Sequence, residues 1–197
     1  MRNKINTKTL TMISMAVAIN VVGAFIAYSI KLPIYLDSVG TVLIASLFGS
    51  KYAVITGVCS SIVSGMTFDS YSIFFAPVQI TTGYFAGLMY KKKMLEGIKV
   101  PIGTFIFALP TAIISAVIAA FVFGGVTSAG SSYIVQILSS MGIPMVVCVF
   151  IIQIITDYMD ELVGVMIVAA CIKVLPSTLK NNTSDRKINL EKEVSHG

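Results

Sequence analysis

Apolar runs recur along residues 10–175 and leave only short polar stretches between them. A chain built this way has few polar side chains with which to cover a water-exposed surface. Charged residues make up 12% of its 197 positions and the mean hydropathy is +0.90, whereas soluble domains carry about a quarter charged residues. The pattern predicts an all-α membrane protein, a six-transmembrane-helix bundle in one domain. Its spans are expected at roughly 9–30, 34–49, 52–66, 74–90, 100–123 and 157–175, within a membrane domain 1–176. A polar cytoplasmic tail, 177–197, follows. The N-terminal MRNKINTKTL has the basic character of a signal peptide, but the apolar run behind it continues to Ile30 without a small-residue cleavage site. It reads as a retained first helix.

Charge placement orients the bundle. With the N-terminus in the cytoplasm and six crossings, Arg2, Lys4, Lys8, Lys51, Lys91 to Lys93, Lys99, Lys173 and the basic residues of the tail all fall inside. Lys31 alone, of 14 basic residues, falls outside, so the excess of cytoplasmic Lys and Arg fixes both termini inside. The acids divide the other way: Asp37, Asp69, Asp157, Asp160 and Glu161 lie at or near the outer face. Scattered solvating charge is the plainer alternative to a site.

Residues 142–176 read in two ways. In one, a single long helix carries Asp157, Asp160 and Glu161 near its middle, at roughly 2.5–3.5 kcal/mol for each carboxylate at bilayer depth. In the other, a helix starts at Thr156 or Asp157, its first turn filled with acids that the helix dipole favours and its last turn holding Lys173. The second costs less and is the one expected. It leaves 131–155 as an outer-side layer over the bundle. The segments 34–49 and 52–66 are too short to cross the hydrocarbon core fully, which implies a depression at the outer face.

The connection from Gly65 to Tyr84 gathers Asp69, Tyr71, Phe75, Gln79 and Thr82. Gln79 and Thr82, three apart, share a helix face. Flat apolar walls with a few placed polar groups are how small organic ligands are held; an aromatic belt at the headgroups is the plainer alternative. The glycines of FGGVTSAGSS, 123–132, permit a sharp helix exit. Cys59, Cys148 and Cys171 lie inside apolar runs and read as buried hydrophobes, and the single histidine, His196, rules out a histidine metal site. No Walker A motif, nucleophile–base pair or metal-ligand spacing is present, so no enzyme activity, metal or cofactor is expected, and no nucleic-acid partner.

Four stretches, LPIYLDSVGT with FGSKYAVITG, FFAPVQITTGYFAGLMYKK, ISAVIAAFVFGGVTSAG and DYMDELVGVMIVAACIKVLP, cover most of residues 32–176. In this order and spacing the chain resembles the substrate-binding (S) components of energy-coupling factor transporters. The resemblance implies a non-catalytic subunit in the bacterial plasma membrane that captures a vitamin-like micronutrient at the outer face. A transmembrane coupling (T) component and two ATPases would drive its import. It also implies that the loop after the first helix is a lid, with Tyr35 and Asp37 contacting substrate, although Asp37 can equally cap the next helix. The substrate-binding set is then Tyr35, Asp37, Asp69, Tyr71, Phe75, Gln79, Thr82, Gln136, Asp157 and Asp160. The spaced small residues Ala16, Asn20, Gly23, Ala24 and Ala27 would contact the T component.

The acids favour a neutral or cationic ligand and the rings a flat heterocycle. Two other readings stand beside this one. A stand-alone proton- or sodium-coupled carrier would use the carboxylates for ions. A membrane scaffold would leave the outer acids and rings without a role.

Overall fold

The computed structural model describes residues 7–174. The expected tail and the basic residues Arg2 and Lys4 lie outside the described residues. Among the described residues the chain is all-helical, with eight α-helices and no strands. They are α1 Thr7–Ser29, α2 Val39–Phe48, α3 Ser50–Thr67, α4 Tyr71–Phe74, α5 Ala76–Lys91, α6 Val100–Val117, α7 Ser131–Ser140 and α8 Met145–Val174. A 3-10 turn leads into α6 and a π turn, Ile118–Val122, follows it. Two stretches, Thr7–Ser29 and Gly97–Val122, are helices long and apolar enough to cross a membrane.

The shortness of α2 goes with its position. It packs against α1, α3, α5 and α8, and all its residues but Leu43 and Phe48 are buried. A helix that is apolar all round has to be enclosed. The turn from α2 into α3 is a single residue, Gly49, whose φ of 80° only glycine adopts readily. Helix α5 then returns along α3 with glycines at the contact: a Cβ on Gly83 would stand 2.7 Å from the Val54 nitrogen. These turns put Lys51 and Lys91 at one end of the bundle. The connections 30–38, 68–75 and 123–130 lie at the other.

One apolar cluster, around Val42, Ile44, Phe107, Val165 and Val168, holds α2, α6 and α8 together. A second, with Ala116, Val135, Cys148 and Val149, seats α7 and the first half of α8 against the end of α6. Large apolar side chains face outward elsewhere, among them Met15, Val22, Phe25, Phe105 and Ile151.

Two expectations need correction. The last helix does not begin at Asp157: α8 runs unbroken for 30 residues from Met145. Only 131–140 forms a separate helix, so the layer expected over 131–155 is cut short. The insertion cost that argued against a single helix assumes carboxylates facing lipid. Here Asp160 and Glu161 are buried against hydroxyl and backbone donors of α5 and the loop after α1. A helix can carry acids through its middle when their hydrogen bonds are supplied from within the bundle.

The second correction concerns α1. Ala16, Asn20, Ala24 and Ala27 face inward and are buried by the chain itself, and Gly23 packs against the Leu36 carbonyl. A Cβ on Gly40 of α2 would overlap the Ala16 carbonyl oxygen. Ala16, Asn20, Ala24 and Ala27 therefore serve packing within the chain, while Gly23 stays half-buried beside Ile19, Val22 and Ile26. The face of α1 left outside is that of Met15, Ile19, Val22 and Ile26.

Candidate functional site

At the end opposite Lys51 and Lys91, the loop after α1 folds back over a cavity between α2, α5, α6 and α8. The loop is held on several sides. The Leu36 N–H donates to Asp160 Oδ1 at 2.8 Å, and the Gly130 N–H donates to the Leu32 carbonyl at 2.9 Å. A Cβ on Gly130 would overlap the Lys31 carbonyl, which explains a glycine there. Lys31 and Leu36 both have φ of 53°, a left-handed conformation that non-glycine residues seldom adopt. Each end of the loop is thus bent sharply to bring Tyr35 down over the cavity. The Tyr35 hydroxyl lies 3.3 Å from Thr127 Oγ1 and 3.4 Å from Ser128 Oγ, across the mouth.

Asp69 ties the neighbouring loops together. Its Oδ2 accepts from Ser128 at 2.7 Å and from Ser72 at 3.1 Å, and its Oδ1 accepts from the Tyr71 N–H at 3.3 Å. An aromatic rim completes the mouth. Phe75 stacks on Phe123 at 6.1 Å and lies 6.3 Å from Tyr35.

The floor is carboxylate and hydroxyl. Glu161 accepts from Thr82 at 2.8 Å and from Ser38 at 3.3 Å, so α8 is joined to α5 and α2 at one side chain. Thr111 and Ser115, one turn apart on α6, add two hydroxyls. Ser115 is held by the amide of Gln153. Asp157 Oδ2 is shut off from solvent and has no hydrogen-bond partner among the described residues. No residue lining the cavity is basic. Lys31 instead places its ammonium 4.3 Å from the centre of the Tyr28 ring.

In the loop, burial pushes the Asp37 carboxyl up to about 6, the Gln79 amide opposing the rise and the charge of Asp69 adding to it. Burial likewise raises the Tyr35 hydroxyl to about 12, against the pull of Ser128 and Thr127. Both groups are held neutral more firmly than in water, as expected where a lid excludes solvent. The cavity under the lid leaves about 40 Å³ of free space, room for a few waters rather than a heterocycle. An organic ligand would need more room than this.

Of the residues expected from sequence, Tyr35, Asp37, Asp69, Phe75 and Gln79 line this cavity, as do Thr82, Asp157 and Asp160. Tyr71 does not; its ring lies 4.7 Å from Phe123, behind the rim. Gln136 does not either: α7 turns it outward, where it is exposed, while Val135 takes the inward position. Sequence reasoning missed Ser38, Ser72, Val78, Thr111, Ser115 and Glu161. The i, i+4 pair of hydroxyls inside the apolar run of α6 was the available signal for two of them. Glu161 was marked as an outer acid but not assigned to the site.

The arrangement can hold a small molecule by hydrogen bonds and charge at its floor and by ring contact at its mouth. It offers no nucleophile–base pair, and the described residues contain no group of three or more side chains placed to hold a metal. Comparison with family models, with curated proteins and with solved structures finds no match to this chain.

Proposed function

We propose that the chain is the substrate-binding component of an energy-coupling factor transporter in a bacterial plasma membrane. In this reading α1, α2, α3, α5, α6 and α8 are its six membrane segments, with both termini cytoplasmic. It captures a small, flat, vitamin-like heterocycle, neutral or cationic, at the outer face. A T component and two ATPases import it, and the chain itself performs no catalysis.

The observation that carries this reading is the lidded cavity, with an aromatic rim, an acidic floor and no basic wall. It lies at the end of the bundle away from Lys51 and Lys91, the end that the charge asymmetry assigns to the outside. The outward-facing Met15, Val22, Phe25, Phe105 and Ile151 suit contact with lipid. The test is purification from membranes followed by mass spectrometry of the bound small molecule. Reconstitution with and without the T component and ATPases follows. A copurifying heterocycle and uptake that needs ATP are expected; a bound polyanion would sink the reading.

One observation favours a second reading, the stand-alone proton- or sodium-coupled carrier. Asp157, Asp160 and Glu161 sit within two turns of one helix beside hydroxyls, buried carboxylates of the kind that exchange protons. Uptake by the chain alone, driven by a proton or sodium gradient, would establish it.

A further inference from the structure

Asn20 is fully buried at the middle of α1, outside the cavity wall. Its Oδ1 accepts from the backbone N–H of Gly40 at 2.5 Å. A backbone N–H can only donate, so this contact fixes which end of the Asn20 amide is oxygen. The Nδ2 end then donates to Thr41 Oγ1 at 2.9 Å and to Ser60 Oγ at 3.0 Å. Ser60 passes its own proton to the Thr56 carbonyl at 2.8 Å. Thr41, already an acceptor, has one hydroxyl proton to give, and gives it to Gln79 Oε1 at 3.1 Å. The Gln79 oxygen is therefore turned back toward α2. Its Nε2 faces the loop, 3.4 Å from the Asp37 carbonyl, where Gln79 lines the cavity.

We propose that Asn20 is a specificity-determining positioning residue, acting through Thr41 to fix Gln79 as a hydrogen-bond donor in a wall whose other polar side chains are carboxylates and hydroxyls. The ligand half of this inference rests on the cavity being a binding site. A ligand must then present an acceptor to Gln79 and its donor or cationic edge to Asp157, Asp160 and Glu161. A heterocycle with a ring nitrogen on one edge and an amino group on the other has that polarity. One backbone N–H on α2, read through two side chains, sets it.

The relay is tested without any ligand. The full chain in nanodiscs is labelled with nitrogen-15 at glutamine side chains, of which there are three, Gln79, Gln136 and Gln153. The Gln79 amide protons are expected to show cross-peaks to Asp37, and to keep them in Thr41→Ser, which retains the hydroxyl. In Asn20→Asp the new carboxylate cannot donate. Thr41 then gives its proton to that carboxylate and accepts from Gln79, so the cross-peaks move to Thr41. Should Asn20→Asp not fold, Thr41→Val serves, since it leaves the Asn20–Gly40 contact intact; the cross-peaks to Asp37 are expected to weaken as the amide loses its fixed orientation. Wild-type cross-peaks to Thr41, or an unchanged spectrum in Thr41→Val, would overturn the relay.

The ligand half is read with 4-aminopyrimidine and with aniline, which keeps the amine but lacks the ring acceptor. Calorimetry is expected to give roughly tenfold tighter binding of the aminopyrimidine, a preference that collapses in Thr41→Val and returns in Thr41→Ser. Equal affinity overturns the specificity claim. Binding of neither probe overturns the ligand chemistry, whatever the amide spectra show.

Discussion

Two layers of the bundle, one helical turn apart on the same helices, differ in almost everything but burial. Phe107 and Val165 belong to the dry layer; Thr111 and Glu161, each four residues away along the same helix, belong to the wet one. Phe107 is 0% exposed and Glu161 3% exposed, so both are interior. The dry layer is held by non-directional contact, whose contribution grows with the area removed from water. The wet layer is held by hydrogen bonds between named partners, each a modest net gain set against the cost of drying a polar group. The difference teaches where to look for each property. Stability should concentrate in the first layer and recognition in the second.

The comparison can be broken by substitution. The largest effect is expected outside both layers, where helices touch by backbone. Gly40→Val would drive its side chain into the Ala16 carbonyl and should cost more than about 4 kcal/mol, leaving no monodisperse peak in size exclusion. Phe107→Ala empties the centre of the dry layer and should cost about 3–5 kcal/mol in thermal or denaturant unfolding. Binding of whatever copurifies should persist in the folded fraction. Glu161→Gln is the converse. It keeps an acceptor for Thr82 and should change stability by about 1 kcal/mol or less, while ligand binding falls by roughly tenfold or more. If Glu161→Gln unfolds the protein and Phe107→Ala does not, the division of labour is wrong.

A smaller effect follows from Asp37. Its carboxyl holds its proton up to about 6, against an ordinary value of 3.8. The fold therefore binds that proton more tightly than the unfolded chain does. The stability this contributes is whole below the ordinary value and is lost as the pH rises through about 6. Melting temperatures taken between pH 4 and 7 should fall more steeply for wild type than for Asp37→Asn; parallel curves would show that the loop leaves Asp37 in water. The smallest effect is expected at Gln136, exposed on α7. Gln136→Ala should move stability by no more than about 0.5 kcal/mol and leave binding unchanged.

Much of the fold was legible because its signals are local. Gly49 marks the break between α2 and α3, and Pro77 at the start of α5 sits where a missing N–H costs nothing. The loop from Lys31 to Ser38 announced itself by placing tyrosine and aspartate between apolar runs. The site was legible in part for the same reason: Asp69, Gln79 and Thr82 are polar where apolar residues would serve. What failed were inferences about facing. The stripe Ala16, Asn20, Ala24 was read outward and turns inward, because small residues mark a close helix contact without saying whose helix makes it. Asp157 was read as the start of a helix because acids at bilayer depth are costly, and the donors that satisfy Asp160 and Glu161 lie on other elements and leave no mark in their own segment. Gln136 was included for its polarity, but α7 has polar residues on both faces.

The sequence by itself determined that the described chain is helical, roughly where α1, α3, α5 and α6 begin and end, and that one end gathers acids and rings. These follow from bonds between residues four apart and from the composition of short connections, both contained in any local window. The tertiary structure alone decided that α8 continues through its acids and which face of α1 is covered. It also decided that a backbone N–H at Gly40 orients Gln79 across two helices. When helices are apolar on every side, periodicity carries no record of facing. Facing is settled only when all the helices compete for the same contacts and each buried polar group must find a partner.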